Sequence, residues 1–312
     1  MQSLLGAHAR IAAPPELHFI LRVAYFRDLF GDLADDDNLR RALHEALNPP
    51  VDILAGCGFA EDALFERARS GERTYAGLFA AIMDDYAERN GKARWAEKTP
   101  AQRPDDIYNL FPDALVVHIL RDARDVVASS LDMPWERRSA AAVARDLHHF
   151  TLESIDRGRR AGAGRYLQLR YEDLARDPEQ VLRLICAFVG EDYDAGMLDP
   201  ARRGSAVMQA AGWQAQAAKD VAPAASKWRS RLSPADRIRV QAITRDLLAP
   251  FGYPEPSKNV RRLMSLARAE VRVRSAVPDA IAERRRPKTP EARHQAVSAL
   301  MQSAADGVQA AA

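Results

Sequence analysis

The residues best suited to chemistry in this 312-residue chain lie between Leu115 and Ser130. The apolar run Leu115-Val116-Val117-His118-Ile119-Leu120 reads as a strand buried on both faces, of the kind found in parallel sheets. It delivers Arg121 at its carboxyl end, and Asp122 is placed to cap a helix running through Val126, Val127 and Ser129. Ligands of open α/β sheets sit beyond the carboxyl ends of the strands, facing helix N-termini. An arginine there and a hydroxyl eight residues on can bracket one phosphate, the first as a fork and the second as a neutral donor. The same letters also suit a plain Arg–Asp salt bridge at a strand–helix junction, and both readings stand at this point.

The elements that must position these groups follow from periodicity. Leu39, Ala42, Leu43, Ala46 and Leu47 make one helical stripe, and Tyr75, Leu78, Phe79, Ile82 and Tyr86 make another after Thr74. Ala93–Lys98 and Arg165–Arg170 suit strands, and strands alternating with helical sequence argue for a parallel sheet with crossover helices. Asp177 (N-cap), Pro178 (first position) and Gly190 (left-handed cap) bound a helix with Val181, Leu182, Ile185 and Val189 on its buried face. Ser233-Pro234 opens another that stops before Pro250.

Composition removes several classes. The chain is 47% hydrophobic and 28% charged with a net charge of +2, a globular balance without a field for nucleic acid or membrane. Two cysteines, Cys57 and Cys186, make no disulfide scaffold, and a reducing cytoplasm is the expected location. No apolar run reaches the roughly 20 residues of a membrane span. No His/Cys/Asp cluster has zinc-ligand spacing, and no metal is expected; His148 and His149 read as surface or packing residues. Between Lys258 and Lys288, ten Lys/Arg face three Asp/Glu, a local excess of +7. That segment reads as a solvated amphipathic helix, with an anionic partner or subunit contact as the other reading.

Several stretches together carry a resemblance. Glu97-Lys98-Thr99-Pro100, Phe111-Pro112-Asp113, Arg121-Asp122-Ala123-Arg124-Asp125 through Ser129, and Tyr171-Glu172-Asp173-Leu174 resemble the PAPS-dependent sulfotransferases. The branch is a bacterial one akin to tyrosylprotein sulfotransferase, and the likeness covers residues 1 to about 254. It implies that Arg121 and Ser129 bind the 3′-phosphate of PAPS (3′-phosphoadenosine-5′-phosphosulfate) and that Tyr171 lies beside the adenine. Lys227, with Arg229 as second candidate, matches a basic residue that closes over the nucleotide. Glu16, in Pro14-Pro15-Glu16-Leu17-His18, matches the general base, with His18 in reserve, and Lys98 matches a lysine that steadies the sulfonyl group and leaving phosphate. A positioned base and an ammonium facing the developing charge are what sulfonyl transfer to a hydroxyl needs.

Such enzymes also begin with a strand and an Arg-Ser-Gly-Thr-Thr loop that cradles the 5′-phosphosulfate. Met1–His8 resembles only the end of the helix that follows, and Arg69-Ser70-Gly71 lies between helices. The expectation is therefore an N-terminally truncated or mis-assigned start, unpaired sheet edges and impaired catalysis.

The expected fold is a three-layer, helix-rich α/β domain with a mostly parallel sheet of P-loop nucleotide-binding type, lacking the first strand and phosphate loop. Residues 1–256 form the sulfotransferase-like domain, and 257–312 a basic, Ala-rich helical extension. The expected function is transfer of a sulfonyl group from PAPS to a hydroxyl-bearing acceptor (carbohydrate, peptide, lipid or small molecule). The alternative is a non-catalytic 3′-phosphoadenosine nucleotide-binding protein. A nucleotide kinase is disfavoured because no Gly-rich loop ends in Lys-Ser/Thr. Nucleic-acid binding through the basic tail would require steep salt dependence.

Overall fold

A computed structural model describes residues 1–50, 53–99, 104–133, 136–207 and 226–256, together with 261, 289–292, 294–295, 298–299 and 302. In chain order the elements are α1 (Gln2–Gly6), β1 (Ile11–Ala12), α2 (Phe19–Arg22), α3 (Arg27–Phe30), α4 (Asp36–Leu47), α5 (Glu61–Ser70) and α6 (Tyr75–Arg89). They continue with β2 (Arg94–Trp95), α7 (Pro104–Leu110), β3 (Val116–Leu120), α8 (Ala123–Leu131), α9 (Ala140–Ala161) and β4 (Tyr166–Arg170). The last are α10 (Tyr171–Arg176), α11 (Pro178–Val189), α12 (Pro200–Val207), α13 (Trp228–Arg231) and α14 (Pro234–Ile243). The basic segment from Lys258 to Lys288 lies, apart from Arg261, outside the described residues.

The helix ends form as their side chains dictate. Asp35, Thr74, Asp122, Asp177 and Ser233 each accept a backbone N–H of the turn they precede, and Gly190 closes α11 at φ 75°. Both stripes read from the sequence are buried: α4 contributes Leu39, Ala42, Leu43 and Ala46, and α6 contributes Leu78, Phe79, Ile82 and Tyr86, to one core that also takes in Leu17 and Phe19.

The parallel pairing is present, but in two pieces. β1 pairs with β2 (Ile11 opposite Arg94) and β3 pairs with β4 (Val116 opposite Tyr166, Leu120 opposite Arg170). β1 is too short to announce itself in the sequence. The expectation that β3 is buried on both faces needs correction. His118 and Leu120 are buried, whereas Val116, Val117 and Ile119 are half-buried, because the described sheet here has only two strands and its flanks are incompletely covered.

The layers are nonetheless legible around β3 and β4. Val117, Ile119, Leu167 and Leu169 pack toward Leu182, Ile185 and Cys186 of α11, while Leu120 packs with Ile155 of α9 on the other side. On that second face His118 Nδ1 and the Tyr166 hydroxyl meet at 2.5 Å. Gly158 of α9 lies so close that a Cβ there would sit 2.2 Å from the Tyr166 ring. Cys57 and Cys186 are both free and buried, and burial pushes the Cys57 thiol up to about 11. No helix among the described residues is long and apolar enough to cross a membrane.

Candidate functional site

The candidate residues gather into two groups. The first is built by β1 and β2. The ladder runs on through Ala96 N–H to Ala12 O (2.8 Å), after which Pro14 and Pro15 end the strand because they have no N–H to offer. The chain turns, and the Leu17 N–H reaches across to Oε1 of Glu97 at 3.2 Å. This contact fixes the loop that carries Glu16. His18 follows with φ 54°, a left-handed conformation uncommon for a residue with a side chain, and opens α2.

Glu16 is 6% exposed, and its Oε2 accepts from Lys98 Nζ at 2.9 Å. His18 Nδ1 stands 3.3 Å from Oε1, but Oε1 has no hydrogen bond among the described residues. Burial lowers the pKa of His18, against the pull of Glu16, so the imidazole favours its neutral form. The expected base and the expected lysine are thus direct partners. Arg22, on the next turn, is engaged elsewhere, donating to Glu45 (2.5 Å) and to the Asn48 carbonyl (3.0 Å).

The second group surrounds the N-terminus of α8. Here the expected Arg121–Asp122 salt bridge is not formed among the described residues. Asp122 is taken by Arg124, whose Nε and Nη2 donate to its two oxygens at 2.9 and 2.6 Å. Arg124 also donates to the Pro254 carbonyl (3.1 Å) and stacks on Trp228 with its Cζ 4.5 Å from the ring centroid. It is 3% exposed and is a framework residue. Arg121 is left over. Its Cζ lies 5.2 Å from the centroid of Tyr171, and its Nε is buried without a hydrogen-bond partner among the described residues. Tyr171 arrives there because α10 starts directly at the end of β4, and Glu172 accepts the Asp122 N–H (3.0 Å) and the Tyr253 hydroxyl (2.9 Å).

The Ser226–Arg229 segment is tied to the same helix by Asp125, whose oxygens accept the Ser226 N–H (3.2 Å) and the Trp228 N–H (2.9 Å). Lys227 and Arg229 are exposed on that segment, with Arg229 stacked on the Trp228 ring at 4.6 Å, and Trp228 itself fills core space. Ser129 is half-buried on α8. Sequence reasoning passed over Asp125 and Glu97 as functional positions. An acidic residue in a first helical turn reads as a partner of the helix dipole, and only folding reveals two distant N–H groups aimed at Asp125. His148, half-buried, faces Asp246 (3.5 Å), and the exposed His149 faces Glu153 (3.7 Å).

The chain is similar to known sulfotransferases. Residues 1–195 match the profile of the "Sulfotransferase family". No curated protein matches the chain. Among solved structures, it resembles the sulfotransferase domain from the Synechococcus PCC 7002 olefin synthase at 24% identity and a TM-score of 0.57, with 82% of this chain and 90% of that one covered. It also resembles the sulfotransferase domain from the curacin biosynthetic pathway at 18% identity and a TM-score of 0.55, covering 82% and 93%. At these identities the likeness establishes the α/β fold alone. With the profile spanning well over half of its length, the chain belongs to the sulfotransferase family.

Proposed function

We propose that the chain is a PAPS-dependent sulfotransferase acting on an acceptor hydroxyl, with the two groups of residues serving the two ends of the reaction. The carrying observation is the division of labour between two neighbouring arginines: Arg124 saturates Asp122, and Arg121 keeps a buried N–H, unpartnered among the described residues, beside an aromatic ring. A buried donor without a partner costs about 1–3 kcal/mol, so its persistence suits a site completed by a ligand. The donor set fits the adenosine end of PAPS: Arg121 and Ser129 for the 3′-phosphate, Tyr171 for the adenine, and Lys227 with Arg229 as cationic cover.

PAPS, when bound, supplies the sulfonyl group, whose S–O bond to the phosphate breaks as the acceptor oxygen bonds sulfur. Glu16 takes the acceptor's hydroxyl proton, and the leaving phosphate keeps the electron pair of the broken bond. Lys98, 2.9 Å from Glu16, is placed to follow the charge as it passes from the base to the leaving group.

Calorimetry with 3′,5′-adenosine bisphosphate and with adenosine 5′-monophosphate tests the nucleotide half. The 3′-phosphate should tighten binding by about tenfold or more, and equal affinities would overturn the assignment. Radiolabelled PAPS with a panel of sugar, peptide, lipid and small-alcohol hydroxyls tests the chemistry. Binding without transfer to any acceptor would establish the non-catalytic nucleotide-binding alternative.

A further inference from the structure

Glu97 has no part in that scheme, yet it touches the loop on which the scheme depends. The buried side-chain oxygens that lack a hydrogen bond among the described residues are Oε1 of Glu16 and Oε2 of Glu97. They belong to neighbouring carboxyl groups beside Lys98, which donates its hydrogen bond to Glu16. Two ionised carboxylates there would leave an excess negative charge inside the fold, and buried pairs of this kind retain a proton. Its surroundings make Glu97 the member suited to retain it. Burial, and next the charge on Glu16, raise its carboxyl well above the ordinary carboxylate range, against the Leu17 N–H and Lys98. The other titratable or charged groups nearby include His18, at the start of α2, Arg22, one turn further on and committed to Glu45, and, on the far side of Lys98, the Met1 ammonium and Arg203.

We propose that Glu97 is a positioning residue for the base: its carboxyl anchors the Pro14–His18 loop through the Leu17 amide, and with Glu16 it forms a buried pair that carries a single proton. The inference rests on Glu16 being the base. When Glu16 receives the acceptor's proton, the pair goes from one proton and one negative charge to two protons and none. Lys98 then loses its anionic partner while negative charge builds on the leaving phosphate, and the added proton later returns to solvent. Glu97 thereby sets both the position of the base and the moment at which Lys98 is released.

Infrared spectroscopy of the full-length protein at pH 7 reads the proton without turnover. Exposed carboxyls are ionised at that pH, so a protonated-carboxyl C=O band should be present and should vanish in Glu97→Gln. Turnover then separates anchoring from proton holding. Glu97→Ala, which loses both, should lower kcat by about 10–100-fold with little change in acceptor KM, as expected for a displaced general base. Glu97→Gln keeps the acceptor for the Leu17 N–H. It should recover part of that loss and lack the alkaline limb that ionisation of Glu97 gives the wild-type rate. No band assignable to Glu97, or coincident pH profiles for wild type and Glu97→Gln, would overturn the proposal. Full activity in Glu16→Gln would instead refute Glu16 as base, and the infrared band would still decide where the proton sits.

Discussion

Replacing Arg121 and Arg124 one at a time by alanine should give opposite results, although they are three residues apart. Arg124 is 3% exposed and holds Asp122, itself 7% exposed, through two hydrogen bonds of 2.9 and 2.6 Å. Removing one partner of a buried pair costs about 3–5 kcal/mol, because the remaining charge has no water to turn to. For a protein of this size that lowers the melting temperature by about 10 °C. Among the described residues Arg121 makes no such contact: its Nε is unpartnered there and its guanidinium rests on Tyr171. Arg121→Ala should therefore change stability by less than about 1 kcal/mol. If its fork binds the 3′-phosphate, losing those charge-assisted hydrogen bonds costs about 3 kcal/mol, a roughly 100-fold weaker Kd for 3′,5′-adenosine bisphosphate. Thermal melts and calorimetry on the two variants read both quantities. If Arg121→Ala melts as early as Arg124→Ala while binding the nucleotide like wild type, Arg121 is framework and the functional reading fails.

Asp125→Asn keeps the size of the side chain but turns one acceptor into a donor facing the Ser226 or Trp228 N–H. It should destabilise the protein by about 1–3 kcal/mol and weaken nucleotide binding through the loosened Lys227–Arg229 segment, both measurable on one preparation. Gly158→Ala drives a methyl to 2.2 Å from the Tyr166 ring, so despite better helix propensity it should cost about 1–3 kcal/mol in denaturant unfolding; a neutral result would mean that α9 and β4 pack less tightly than described. Burial lowers the pKa of His118 from its usual 6.5 to about 4. The unfolded chain takes up that proton first, so stability is complete above pH 6.5 and falls by roughly 3 kcal/mol as pH drops toward 4. His118→Phe should flatten unfolding free energy over that window, and an unchanged slope would assign acid sensitivity to other groups.

The local elements were legible because their signals are local. The stripes of α4 and α6, the Asp177-Pro178 start and Gly190 stop of α11, and the apolar core of β3 are written in consecutive residues, and each formed with boundaries close to those expected. The family was legible as well, since ordered motifs such as Arg121 through Ser129 survive in the linear text. The strand expected at Ala93–Lys98 formed as the two-residue β2, but its partner β1 was not legible, because a ladder of that length depends on its partner rather than on periodicity.

What the amino-acid order by itself determined is the class of fold, the caps and buried faces of most helices, and the residue types available at each strand end. Tertiary structure alone decided which of two arginines Asp122 takes, which distant amides Asp125 and Glu97 receive, and that Glu16 and Lys98 stand within hydrogen-bond reach. The physical reason is range. Helix propensity, capping and alternation act over a few residues, whereas the pairing of a buried charge depends on which groups, near or far along the chain, are shut away from water together: Arg124 is free to take Asp122 because the fold also buries it against Trp228 and Pro254.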